Sequence, residues 1–225
     1  MRYLFLALAL VFSLGNGSQQ IDALVDKGQF TEAARIAEAE AERGDPVAHA
    51  WLGRFYEAGE GVSADPRVAA YHYRVAAKEG NNYARWRLGV MIDTGTAEGS
   101  LEEAVAMFRA AAAEDYTDAI VSLAVMQATG RGTAQDDVAA LSSYMRAARL
   151  GDSGGVRGVG VMFHLGQAVQ QDSQEALAWF LVAAAMGSED AEQSFYYVAE
   201  SVPDSDFDAI EARAMEIAEE LGLET

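Results

Sequence analysis

A period of 35 to 36 residues runs four times through the middle of this chain and constrains its fold more than any other feature. The copies begin near Pro46, Asn82, Thr117 and Ser153. Each carries a small residue, a Leu-Gly-like pair, a glycine-marked loop and then an aromatic followed by Ala-Ala. The aromatics Tyr73, Phe108, Tyr144 and Phe180 are spaced 35, 36 and 36 residues apart. The alanine pairs Ala76-Ala77, Ala111-Ala112, Ala147-Ala148 and Ala183-Ala184 keep step with them. A fixed period of this length denotes small units stacked in an array, each burying its apolar face on its neighbour. Such an array offers an extended surface, and its usual work is to hold another molecule.

Within each copy the pattern reads helix, loop, helix. Asp45-Pro46 and Asp65-Pro66 each place an N-cap before a proline at the first helical position. Ser100-Leu-Glu-Glu103 and Asp172-Ser-Gln-Glu175 have the form of capping boxes. Ala48, Ala84, Ala119 and Gly155 share one register, four residues before Leu52, Leu88, Leu123 and Val159. Small side chains there let helices approach, and the larger ones fill the layer between them.

The elements Ala84-x-x-x-Leu88-Gly89, Gly59-x-Gly61-Val62 and Ala69-x-x-His72-Tyr73-Arg74-x-Ala76-Ala77 resemble Sel1-like repeats, relatives of the tetratricopeptide repeat. The resemblance covers roughly residues 46–190, as copies 46–81, 82–116, 117–152 and 153–190. It implies an all-α fold, a right-handed α/α solenoid of helix-loop-helix repeats whose first helices line the concave face. It also implies adaptor roles in assembling complexes, often in the bacterial periplasm or secreted fraction. The third copy departs from the pattern with Ala124 in place of glycine, and the fourth with Val159 in place of leucine.

Outside the repeats, residues 1–18 carry Arg2, the apolar run Tyr3–Leu14 and a small-residue exit, the pattern of a secretory signal peptide. Periplasmic or secreted export is therefore expected, with an uncleaved N-terminal anchor, or an intracellular scaffold with a merely hydrophobic first helix, left open. Residues 19–45 read as a capping helical pair, with Ile21, Leu24, Val25 and Phe30 covering the first repeat. Residues 191–225 read as capping helices too. Their acidity (twelve acids against the single base Arg213 in 189–225) leaves a recognition tail as the rival reading.

Charge and composition narrow the function. A net charge of −19 argues against nucleic acid, whose phosphates it would repel. With no cysteine, thiolate catalysis and cysteine-held metals are excluded. The string Gly151-Asp-Ser-Gly-Gly155 copies the surroundings of a serine-protease nucleophile, yet it falls at a repeat junction, where glycine stops one helix and Asp152 or Ser153 starts the next. No Ser-x-x-Lys or His-Glu-x-x-His occurs. His49, His72 and His164 lie on separate elements and read as surface or packing residues. Gly158, inside a predicted helix, costs about 1 kcal/mol against alanine and marks either close packing or local softness.

The chain is thus expected to be a non-enzymatic adaptor or regulator of the bacterial envelope, with no catalytic residue, cofactor or metal and with a protein or peptide partner. The candidate partner-binding residues stand on first helices outside the packing register: His49, Trp51, Arg54, Arg85, Trp86, Arg87, Met91, Met126 and Arg157. Trp and Arg favour interfaces, and methionine adapts to varied partners. Together they predict a mildly basic, aromatic strip, although Trp51 and Trp86 fit a core between repeats equally well. The rival is an envelope enzyme, or an enzyme-associated module, acting on cell-wall glycan or peptide through carboxylates near Trp51 and Trp86.

Overall fold

A computed structural model of the chain describes residues 17–203 and 206–223. Residues 1–16, which hold most of the expected signal peptide, lie outside the described residues. Every element described is helical: α1 (17–25), α2 (Phe30–Glu42), α3 (Pro46–Ala58), α4 (Pro66–Lys78), α5 (Asn82–Asp93), α6 (Leu101–Ala112), α7 (Thr117–Thr129), α8 (Asp137–Arg149), α9 (Ser153–Leu165), α10 (Ser173–Ala185), α11 (Glu189–Ala199) and α12 (Phe207–Glu220). The chain divides into two compact units, Met1–Met107 and Phe108–Thr225, the division falling within α6.

The helix starts follow the capping chemistry of the sequence. Asp45 accepts a hydrogen bond from the Val47 amide at 2.8 Å, and Asp65 accepts from Arg67 and Val68. The Ser100 hydroxyl accepts from the Glu103 amide at 3.2 Å. Asp172 accepts from Gln174 and Glu175, but the Glu175 carboxylate does not turn back to the cap. It accepts instead from Trp179 Nε1 and from Arg213 on α12. The protease-like string is a helix junction: Gly151 is left-handed, Asp152 accepts from the Gly155 amide at 2.9 Å, and Ser153 opens α9.

In the first unit, α1 and α2 lay Ile21, Ala33, Ala34 and Ala37 against Ala48, Leu52 and Phe55 of α3, with Leu24, Val25 and Phe30 half-buried around them. The α3–α4 hairpin closes through one tight approach. A methyl group on Gly53 would lie 2.5 Å from the Tyr73 ring, so glycine is what admits that ring.

In the second unit, Val156, Val159, Met162, Leu177 and Phe180 form the core of the fourth repeat, and α12 buries Ile210 and Ile217 against it. A Cβ on Gly160 would lie 2.6 Å from the Phe180 ring, repeating the Gly53–Tyr73 arrangement. The third repeat differs, because Ala124 already occupies the glycine register. There the Tyr144 ring packs on Gly158 of the next repeat, where a Cβ would lie 2.6 Å from ring atom Cγ. Of the two meanings open for Gly158, close packing is the one observed.

Candidate functional site

Apart from His49, the candidate residues fall into three groups. Met91 and Met126 are core residues, 2% and 1% exposed, and this corrects the surface role expected of them. The cause is helical spacing. Met91 stands seven residues after Ala84, and Met126 seven after Ala119, so each continues the stripe that begins at the small residue and Leu88 or Leu123.

The second group gathers between α3 and α5, the first helices of repeats one and two. Val47, Ala50, Trp51, Arg54, Asn81 and Tyr83 line a cavity of about 320 Å³ there. Trp51 and Trp86 are both half-buried. Trp51 stacks on Phe55 and carries the Arg54 guanidinium 4.9 Å above its ring. Trp86 leans on Tyr83 and carries Arg87 at 5.0 Å. These are cation–π distances, which fix both partners.

The arginines do not form an open basic strip. Arg87 is paired with Glu57 on α3, its Nε donating at 3.1 Å, and the Tyr73 hydroxyl donates to the same carboxylate at 2.8 Å. Burial works against the Arg87 charge, yet the Glu57 hydrogen bond and charge hold its pKa above the ordinary value. Arg54 faces Glu60 at 3.6 Å. Arg85 donates to the Ala77 carbonyl and to the Asn82 side chain, which ties it to the base of its own helix. The cations near this cavity are therefore matched by acceptors of the same unit.

His49 meets His72 across the α3–α4 hairpin, the two Nδ1 atoms 2.9 Å apart. One ring must donate and the other accept, so the pair shares a single proton between those atoms. His72 also stacks on Tyr56, and burial first, then the charge of His49, pushes its pKa down to about 4. Glu38 and Glu42 border the same pocket, but no group of three metal-binding side chains is assembled among the described residues.

The third group is Arg157, on α9 in the second unit. Arg157, Val161, His164, Asp190, Ser194 and Tyr197 line a pocket of about 280 Å³ between α9 and α11. Arg157 Nε donates to the Ser194 hydroxyl at 3.3 Å. His164, Ser194 and Tyr197 were not among the sequence candidates. The repeat register would have revealed His164 and Ser194, since with Phe180 they stand where the first unit has Tyr73, Glu57 and Arg87.

Comparison with known proteins fits this geometry. The Sel1 repeat model matches residues 46–81, 82–116, 117–152 and 156–188, more than half of the chain. No curated protein matches the sequence. Among solved structures, the chain resembles a protective antigen of uropathogenic Escherichia coli strains that displays an SLR fold (25% identity, TM-score 0.75, 83% of this chain). It spans only 40% of that protein's length. A Sel1 repeat protein from Oxalobacter formigenes aligns at 24% identity and TM-score 0.74, over 92% of this chain and 82% of the other. A sel1 repeat protein from Klebsiella pneumoniae subsp. pneumoniae aligns at 22% identity and TM-score 0.56, over 83% and 93%. Proteins of this kind generally mediate protein–protein interaction, and the fold is typically a scaffold without catalysis. On its four matched repeats and its all-helical repeat fold, this chain belongs to the Sel1 repeat family.

Proposed function

We propose that this chain is an exported adaptor or regulator that binds a protein partner along the first helices of its repeats, without catalysis or cofactor. The α3–α5 cavity carries this reading. It presents Trp51 and Tyr83 beside Val47, an aliphatic side chain left 40% exposed. Aromatic side chains held in place by stacking are favourable anchors, because little side-chain freedom remains to be lost on binding. The cavity's described lining includes no carboxylate, which favours the adaptor over a glycan-cleaving enzyme, whose chemistry needs a carboxylate pair.

Export rests on the apolar leader of residues 1–18, with a periplasmic or secreted destination. No helix among the described residues is long and apolar enough to cross a membrane. The charge of −19 points the same chain away from nucleic acid.

Two measurements test the proposal. A photo-reactive side chain at position 47 should form one dominant protein adduct in cells, and the double variant Trp51→Ala, Tyr83→Ala should lose it at unchanged helical circular dichroism. Adducts indifferent to both substitutions would overturn the groove. N-terminal sequencing of the mature chain tests export, which fails if the chain still starts at Met1 and stays in the cytoplasm.

A further inference from the structure

The pocket between α9 and α11 occupies the place that the first unit fills from within. There Tyr73, Glu57 and Arg87 close on one another by hydrogen bonds. At the same register positions the second unit has Phe180, His164 and Ser194, and a cavity of about 280 Å³ opens among them. Among the described residues no carboxylate joins Phe180, His164 and Ser194 by hydrogen bonds as Glu57 joins Tyr73 and Arg87, although Asp190 also lines the pocket. His164 Nδ1 is buried without a hydrogen-bond partner. Arg157 is half-buried, and its single hydrogen bond runs from Nε to Ser194. Of the other half-buried arginines among the described residues, Arg85, Arg87 and Arg213 spend outer nitrogens in hydrogen bonds, and Arg54 pairs with Glu60 at 3.6 Å. A half-buried guanidinium with unspent donors, lining a cavity, calls for a planar oxyanion that accepts from the fork.

We infer that the α9–α11 pocket is a carboxylate subsite, in which Arg157 receives an acidic side chain or the terminal carboxylate of the bound partner while Tyr197 packs beside it. The subsite deepens the adaptor reading and rests on it, because the partner supplies the group that Glu57 supplies internally in the first unit. Tyr197 is 75% exposed and stands edge-on to His164, 6.2 Å between ring centroids. It is placed to cover the stem of an entering side chain. Asp190 stands on the rim, at the first turn of α11, where the helix dipole favours its charge. It opposes loosely held anions, so it sets the subsite's threshold and raises its selectivity for ligands that engage the guanidinium at close range.

Nuclear magnetic resonance titration of the full-length protein tests the inference with three capped tripeptides. Acetyl-Gly-Glu-Gly-amide offers a side-chain carboxylate, acetyl-Gly-Gln-Gly with a free C-terminus offers a terminal one, and acetyl-Gly-Gln-Gly-amide offers neither. Binding is followed at the Arg157 Nε–H and Tyr197 ring resonances. At least one carboxylate peptide should bind tenfold or more tightly than the neutral peptide, and which one identifies the source of the group. Arg157→Gln should abolish that preference, and Asp190→Asn should strengthen binding severalfold. Equal response to all three peptides, no response at Arg157, or unaltered preference in Arg157→Gln would overturn the inference. Its failure is separable from failure of the adaptor reading: adduct formation at position 47 is scored on α3, so capture that persists with an inert α9–α11 pocket removes the subsite alone.

Discussion

The first and fourth repeats put different residues at three equivalent positions, and the outcome differs in kind. In the first repeat, the Glu57 carboxylate takes hydrogen bonds from Tyr73 of its own repeat and Arg87 of the next, a polar cluster that pins α3, α4 and α5 together. In the fourth, Phe180 brings no hydroxyl, Ser194 no charge and His164 no carboxylate, so a cavity opens where the cluster would be. The repeat period is kept between them. One set of side chains makes a self-satisfied joint, and the other leaves a cavity that Arg157, in the register of Ala50, also lines. A repeat protein can thus place a closed joint and an open cavity at the same register of different copies.

The largest expected effect concerns the tyrosine that crosses between repeats. Gly158→Ala adds a methyl against the Tyr144 ring, and overpacking of this kind costs about 1–3 kcal/mol. Propensity alone would make the same change stabilising by about 1 kcal/mol, so the sign of the shift in urea midpoint decides between close packing and a soft helix. Glu57→Gln should cost about 2 kcal/mol by loosening hydrogen bonds to a charged group. It should also give Arg87 a new response to the carboxylate tripeptides, making the first unit behave like the second. A silent Arg87 would mean that its stacking on Trp86, and not Glu57, occupies it.

Acid separates the units further. The His72 pKa lies near 4 in the folded chain, below the 6.5 of an unconstrained imidazole. The unfolded chain therefore binds more protons between those values. The stability that depends on neutral His72 is complete above pH 6.5 and is lost as pH falls toward 4. After solvent screening of a half-exposed ring the loss is about 1 kcal/mol. Urea midpoints at pH 7 and pH 4.5 should differ less in His72→Gln than in the parent, and equal differences would sink this account of the pair.

The last comparison concerns two loops. Ala168 adopts φ +60° in the register where the first repeat has Gly61 at +74°. Ala168→Gly should add about 1 kcal/mol by relieving a left-handed alanine. Gly61→Ala should do the reverse and more, because its Cβ would press within 2.6 Å of the Thr31 amide nitrogen. Thermal melts of both variants check the pair.

The fold was legible because its signals are local. Asp45-Pro46, Asp65-Pro66 and Asp172 cap their helices as their chemistry demands, and the small residues Ala48, Ala84 and Ala119 are fully buried where the register put them. The site was less legible. Met91 and Met126 were misplaced because a residue seven positions along a helix rejoins the buried stripe, and their flexibility suggested surface chemistry instead. The arginines of the first unit read as a basic strip, since nothing in their own neighbourhoods reveals that Glu57, thirty positions before Arg87, turns toward it. His164 and Ser194 gave no signal alone, and their meaning comes from comparison with Glu57 and Arg87.

By itself the sequence determined the period, the helices, their caps and the layer of small residues, because hydrophobic spacing and capping act over a few residues. Only the tertiary structure decided which charges are answered. Pairing depends on where side chains from different repeats meet, and Arg87 finds a carboxylate there while Arg157 finds an opening.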